Sequence, residues 1–561
     1  MNRRFGVCAA TLAVVSAGSV AASGSAPSAP RGCTDWRQYG NGANHSFSAA
    51  PGCSTITSSN VATMLPKWFF HTNDSVTASP AVVGNSVYVG AWDGKFYSLN
   101  ATTGKPQWTF DINVTNPVAF GQIVSSAAVE PFDAGDGKSE EAVVFGGSSS
   151  VWALDARTGK LLASIELDPR KPALRKKQQS GPNPPTVEIE SSPAVADVRV
   201  HGHLQRRIFV GLDVHNDKRV GRTGVVALRL LPTGEGRWRF KPLWKSDAET
   251  NRTYYGRKGL TEGSGQGWGC GDVWSSPAVD TKTGVMIYGV GNCDNAAQAR
   301  AAHQNWAESL MAVDAATGKF LWRYAPAEHQ GSSNAGLNEA YLDDDFGASV
   351  NIFRNAHGQT VAGDGSKASI YFARTARTGK GLWQTEDGSP GNLSQGFAVG
   401  GFIGSLAVAS NANGTATQIV GGTAIPIPFK NGGNWPGAVE NVHSFDANTG
   451  KVLWSDRLAA PTYASTSVVN DIALVPLTVA SSVVALDLKT GLPLWVGPVL
   501  GPPSSTAVVS GSSIYLGTGT NETDLEYKAL GLAVPPTVQR TIGQSPLSPL
   551  SGVQAFQLAA G

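Results

Sequence analysis

The 561-residue chain carries 66 glycines and 32 prolines but only 15% charged residues. Glycine at that level calls for many tight turns, and the scarcity of Glu, Lys and Arg excludes a long helical bundle or coiled coil. With 44 basic and 42 acidic side chains the net charge is +2, which leaves no basic surplus for a polyanion and excludes nucleic acid as a partner.

Residues 1–26 read as an export signal. Arg3 and Arg4 precede an apolar run from Phe5 to Val20, and the small residues Ala21, Ala22 and Ala26 follow where a signal peptidase would cut. The run is short for a bilayer crossing, and no later stretch approaches ~18 uninterrupted apolar residues, so no membrane span is expected. Cys8 leaves with the signal; Cys33, Cys53, Cys270 and Cys293 remain. An even number in an oxidising compartment predicts two disulfides. Eight Asn-x-Ser/Thr sequons, at Asn44, Asn73, Asn100, Asn113, Asn251, Asn392, Asn413 and Asn521, fit a glycosylated protein. The expected location is secreted or the secretory lumen, or the periplasm if the source is bacterial.

Residues 27–64 are expected to form an N-terminal segment, and 65–561 a single repeat domain. The repeat is an apolar stretch, Asp or Asn, Ala, Thr-Gly-Lys, then Trp. It runs through Leu99 to Lys105 with Trp108, Leu154 to Lys160, Val313 to Lys319 with Trp322, Thr378-Gly379 with Trp383, Thr449-Gly450 with Trp454 and Thr490-Gly491 with Trp495. A degenerate copy holds Thr233-Gly234 and Trp244. Each Thr-Gly turns the chain, and the Trp anchors the next antiparallel strand. A second hairpin precedes each unit, beginning at Ser79, Ser125, Ser192, Ser276, Gly347, Gly404, Ser465 and Ser505. Four strands per unit make a propeller blade. There are seven Thr-Gly turns but eight leading hairpins. The orphan strand around Trp68 and the terminal strand Val553 to Gln557 therefore pair to complete an all-β, eight-bladed propeller.

The long stretches between blades, among them Arg170 to Thr186, Ser246 to Gly269 and Glu328 to Asp344, are expected on one face, shaping a pocket. The cluster Arg170, Lys171, Arg175, Lys176 and Lys177 reads as a solvated loop. In the hairpin of Val273 to Asp280 with Val285 to Gly291, the midpoint of Cys270 and Cys293 falls inside the Thr281–Gly284 turn. That register predicts a Cys270–Cys293 bridge. Cys33 and Cys53 pair by elimination.

These repeats resemble the quinoprotein alcohol dehydrogenase family, whose propellers bind pyrroloquinoline quinone, and within it the polyvinyl-alcohol-dehydrogenase-like branch. The opening Asp35-Trp36-Arg37-Gln38-Tyr39-Gly40 with Asn44-His45-Ser46 is similar to that branch. The resemblance implies roles for several residues. Trp274, in Val273-Trp274-Ser275-Ser276-Pro277, would form the flat floor beneath the quinone. Asn292, after Gly291, would offer its carbonyl to calcium. Asp345, in Asp343-Asp344-Asp345-Phe346-Gly347, would be the catalytic acid, with Asp343 and Asp345 near the metal. Lys367 would contact the quinone oxygens, and Asn434, in Asn434-Trp435-Pro436, would lie near the cofactor. Each also has a plain reading: core indole, turn Asn, loop acid, surface Lys. Departures from the family are the absence of an adjacent Cys pair and of a Cys-x-x-Cys-His haem motif. Asp213 or Asp217 stands where a calcium-binding Glu is expected.

Three functions stay open at this point. The first is oxidation of a small-molecule alcohol with pyrroloquinoline quinone and calcium, electrons leaving through a separate acceptor. The second is a cofactor-free cyclase, similar to quinoprotein-like propellers of fungal secondary metabolism that perform hetero-Diels–Alder coupling in tropolone sesquiterpenoid pathways. The third is a scaffold without chemistry.

Overall fold

The computed structural model describes residues 32–559 except 115, 119, 136, 180–184, 216–219, 235, 268–270, 292–306, 327–344, 389–400, 425–440, 457, 459–461, 479 and 520–550. Seven antiparallel sheets run in chain order from an inner to an outer strand, and an eighth joins strands from both ends of the chain. Blade four, for example, comprises Ala278–Asp280, Val285–Val290, Ser309–Asp314 and Phe320–Tyr324. Blade five comprises Asn351–Arg354, Thr360–Gly365, Ile370–Thr375 and Gly381–Glu386. Blade six comprises Ala407–Ser410, Ala416–Gly422, Val442–Asp446 and Val452–Asp456. Blade three adds a fifth strand, Thr253–Tyr255. The ring closes as the repeat count requires. Met64–His71 is the outer strand of blade eight and pairs with Gly552–Leu558, from Met64 opposite Leu558 to His71 opposite Gly552.

The repeat Trp does more than anchor its own strand. Trp322 of blade four lies on Gly379 in the Thr-Gly turn of blade five, so close that a Cβ there would fall 2.6 Å from the indole. Its Nε1 donates to Ala376 O at 2.9 Å. Trp68 on Gly104 and Trp108 on Gly159 repeat the contact. Gly379 has φ +67°, so the turn needs glycine twice, for its backbone and for the indole above it.

The leading serines stitch neighbouring blades together around the channel. Ser79 N–H donates to Ser126 Oγ, Ser126 to Ser192, Ser192 to Ser276, Ser276 to Ser349, Ser349 to Ser405 and Ser405 to Ser465, at 2.8–3.1 Å. Inner strands of a propeller leave one edge unpaired, and the N-terminal segment covers it. Trp36 O, Arg37 O, Ala43 O, Asn44 O, Ser46 O and Phe47 O accept the N–H of Val82, Val129, Val279, Ile352, Val408 and Val468. The Gln38 side chain takes Val195, and Ser54 Oγ reaches Gly511 O. The strap thus visits blades one to eight in turn.

A Cys33–Cys53 disulfide ties the strap to itself, with Cα atoms 5.3 Å apart across a sequence separation of 20. A loop of that size is worth ~3 kcal/mol in the chain-entropy picture. The double variant Cys33→Ser, Cys53→Ser is therefore expected to unfold at lower denaturant by about that amount, and an unchanged transition would assign the strap's hold to its hydrogen bonds alone.

Cys270 and Cys293 lie outside the described residues. The hairpin between them is shorter than expected: Ala278 pairs with Ile287 and Asp280 with Val285, so only three residues ladder, and the register sits two positions off. It returns to the expected phase at Gly291, whose N–H donates to Asp272 O at 2.9 Å. The basic cluster also departs from a solvated loop. Pro172–Gln179 is helical, and Arg170 is buried against Asp168 with a guanidinium–carboxylate distance of 2.6 Å. A second bond, to Pro185 O, gives that cation acceptors enough to leave water.

Candidate functional site

The ends of blades four and five that precede their inner strands bring three of the expected residues together. Trp274 stands just before blade four, Asp345 just before blade five, and Lys367 in the turn after the second strand of blade five. That turn is held by Ser366 N–H to Ile370 O and by Ser369 N–H to Ser366 O, with Ser369 at φ +62°. Lys367 is bound to Asp345 twice. Its N–H donates to Asp345 O at 2.8 Å, and its Nζ donates to Asp345 Oδ2, also at 2.8 Å. The ammonium also lies 5.2 Å from the centre of the Trp274 ring, within cation–π range. The pair is largely out of water: the Asp345 side chain is 4% exposed and that of Lys367 13%.

Two glycines make room for the indole. A Cβ on Gly291 would fall 3.1 Å from Trp274 Nε1 and 3.2 Å from Asp345 Oδ1, and one on Gly347 only 2.8 Å from the indole edge. Trp274 is half-buried between them. The site therefore offers an aromatic face, a cation and a carboxylate converging on bare backbone.

Two acidic residues flank Gly291 through its backbone. Gly291 N–H bonds to Asp272 O, and Glu308 N–H to Gly291 O. Both acids are buried. A two-stranded ribbon outside the blades, Thr186–Glu188 with Asp213–His215, sets Glu188 directly opposite Asp213, both also buried. Val273 N–H donates to Leu212 O at 3.0 Å, so the ribbon strand that carries Asp213 is joined by its backbone to the residue before Trp274. Asp213, the candidate substitute for a calcium-binding Glu, lies on that ribbon. Glu188 carries no motif in the sequence, and only the ribbon register sets it opposite Asp213. Asn292, Asp343, Asp217 and Asn434 lie outside the described residues. Among the described residues no three His, Cys, Asp or Glu side chains could hold a metal ion by themselves.

The residues present fit a planar quinone: the two glycines leave the indole a slot that any Cβ would fill, and Lys367 supplies positive charge beside it. The nearby donors are oxygens, as a hard cation requires.

The fold and this site define a quinoprotein-type propeller. Residues 36–331, more than half of the chain, match the family described as glucose/ethanol/alcohol dehydrogenase, beta-propeller domain, and the chain belongs to that family. Residues 366–525 match a second description, outer membrane protein assembly factor BamB. A polyvinylalcohol dehydrogenase from a Pseudomonas species is 26% identical over 300 residues, which is 51% of this chain and 40% of the relative. The dehydrogenase subunit of a quinone alcohol dehydrogenase from Gluconobacter oxydans is 26% identical over 309 residues, 52% of this chain and 37% of the relative. The chain thus matches well under half the length of these relatives. A europium-containing methanol dehydrogenase shares the fold, with a TM-score of 0.63 at 15% identity over 93% of this chain and 98% of its own.

Proposed function

We propose that the chain oxidises a small-molecule alcohol with bound pyrroloquinoline quinone and calcium. The observation that carries this reading is the Lys367 ammonium set between the Asp345 carboxylate and the Trp274 ring, in a chain of the alcohol dehydrogenase family. Trp274 would stack on the quinone and Lys367 would face its oxygens. Asp345 and Asp213, with Asn292 and Asp343, would supply oxygens to calcium. When bound, the quinone supplies the two-electron acceptor for the alcohol carbon. Asp345, whose Oδ2 accepts from the Lys367 ammonium at 2.8 Å, receives the hydroxyl proton. Lys367 holds the carboxylate in place through Oδ2. A separate acceptor would take the electrons onward.

Residues 1–26 would direct the chain to the secretory route or the periplasm. No helix among the described residues is long and apolar enough to cross a membrane. The cyclase reading gains nothing from the relatives, which carry dehydrogenase names.

Titration decides the matter. Purified protein with calcium should bind the quinone stoichiometrically, quench tryptophan fluorescence, and then reduce a dye when given alcohols. Full dye reduction by protein shown to be free of quinone, or no quinone uptake with calcium present, would overturn the proposal.

A further inference from the structure

The wall of the site beyond Lys367 belongs to blade six. Gly401, at φ +67°, packs its Cα on the Lys367 backbone, so that a Cβ there would lie 2.0 Å from Lys367 O. Phe402 N–H donates to Ser366 O at 3.0 Å, and the Phe402 Cβ packs against Gly365. Ala424 N–H donates in turn to Gly401 O at 3.1 Å. The backbone around Lys367 is thus set by where Gly401 and Phe402 are held.

What holds them is a buried histidine. His443, fully buried at the start of the third strand of blade six, places Nδ1 2.8 Å from Asp387 Oδ2. Asp387 follows the outer strand of blade five, and its N–H donates to Ser369 O, in the turn that carries Lys367. Ser455 Oγ donates to the same Asp387 oxygen. The other ring nitrogen, Nε2, lies 3.4 Å from Thr423 Oγ1, next to Ala424. The imidazole lies edge-to-face with Phe402 at 5.9 Å and parallel to Phe445. Gly388 covers its edge, where a Cβ would fall 3.0 Å from Nε2. Thr423, His443 and Asp387 are ordered like a nucleophile, base and acid, but the hydroxyl and the imidazole have no access to substrate. Their geometry serves to fasten instead.

We propose that His443 is a positioning residue for Lys367: paired with Asp387, it clasps blade five to blade six and fixes Gly401 and Phe402 against the Lys367 turn. The role rests on the reading of Lys367 as a site residue, but the clasp itself is testable without cofactor. Lysine acetylation by acetic anhydride, followed by peptide mass spectrometry, reports how well Lys367 is held. Lys245 is the internal reference, buried in blade three with its ammonium on Arg222 O, Leu260 O and Glu262 O.

Breaking a hydrogen bond to a charged group, as His443→Leu does, should speed Lys367 acetylation about tenfold and leave Lys245 unchanged. His443→Gln, whose amide can still donate to Asp387, should restore most of the protection. Unchanged Lys367 labelling in His443→Leu would overturn the clasp, and so would Lys245 labelling that rises in step. If that variant does not fold, Asp387→Asn, which keeps the side-chain shape, is judged by the same two rates. Faster Lys367 acetylation in His443→Leu, together with wild-type protein that takes up no quinone, would keep the clasp and remove the cofactor reading.

Discussion

Asp345→Asn is expected to lower alcohol turnover of the quinone-loaded protein by ~10³-fold, the usual worth of a positioned proton acceptor. Asparagine keeps the size of the side chain and an oxygen for Lys367 Nζ, now 2.8 Å from Asp345 Oδ2, but it cannot take the hydroxyl proton. Quinone affinity should therefore change little while turnover collapses. Asp345→Ala is the poorer probe. As a loop acid, Asp345 could be deleted without cost, but it is buried and paired. Its loss strands the Lys367 ammonium in a largely dry site, and leaving one partner of a buried pair costs ~3 kcal/mol. A dye-linked assay on the asparagine variant gives the answer, and normal turnover in folded, quinone-loaded protein would remove Asp345 from the chemistry.

The propeller was legible because its signals are local. Each Thr-Gly turn and its Trp lie within a few residues, and counting turns against hairpins left only closure by the two ends. The pairing of Met64–His71 with Gly552–Leu558 follows from that count. The role of the Trp at the joints was not legible, because Trp322 meets Gly379 across a blade boundary. The strap was hidden for the same reason: Phe47 O accepts from Val468 N–H, and no periodicity links two such distant positions.

The candidate site divides along similar lines. Trp274, Asp345 and Lys367 stand in short segments that resemble the family, and the fold brings all three together. Glu188 and His443 carry no local motif. Glu188 comes into view only through its register with Asp213, and His443 only through a hydrogen bond to Asp387, 56 positions away. Asp364 was hidden differently. It stands in no motif, and only its pairing with Phe372 places it inside blade five.

Asp364→Val is expected to stabilise the protein increasingly as pH rises. Asp364 precedes Gly365, which packs against Phe402 of the next blade. The corresponding step before Gly90, Gly146, Gly211, Gly289 and Gly517 is filled by Val89, Phe145, Val210, Tyr288 and Leu516. Asp364 is buried to 1% exposure. Its Oδ1 accepts from Gly365 N–H at 2.9 Å, while Oδ2 has no hydrogen-bond partner among the described residues. Burial therefore pushes the carboxyl well above its usual value of 3.8, against the smaller pull of the Gly365 hydrogen bond. The folded chain keeps a proton there that the unfolded chain releases above about pH 4. Stability from this group is complete below that pH and is lost as pH climbs through the raised folded value, at up to ~1.4 kcal/mol per pH unit. Valine has no proton to lose and fits a step that Val89 and Val210 already fill, so the variant should lack this slope. Paired thermal melts of wild type and variant between pH 5 and pH 8 test this directly. A melting-temperature advantage for valine that widens with pH is the expected result, and a constant or shrinking one would mean that Asp364 is satisfied in the fold.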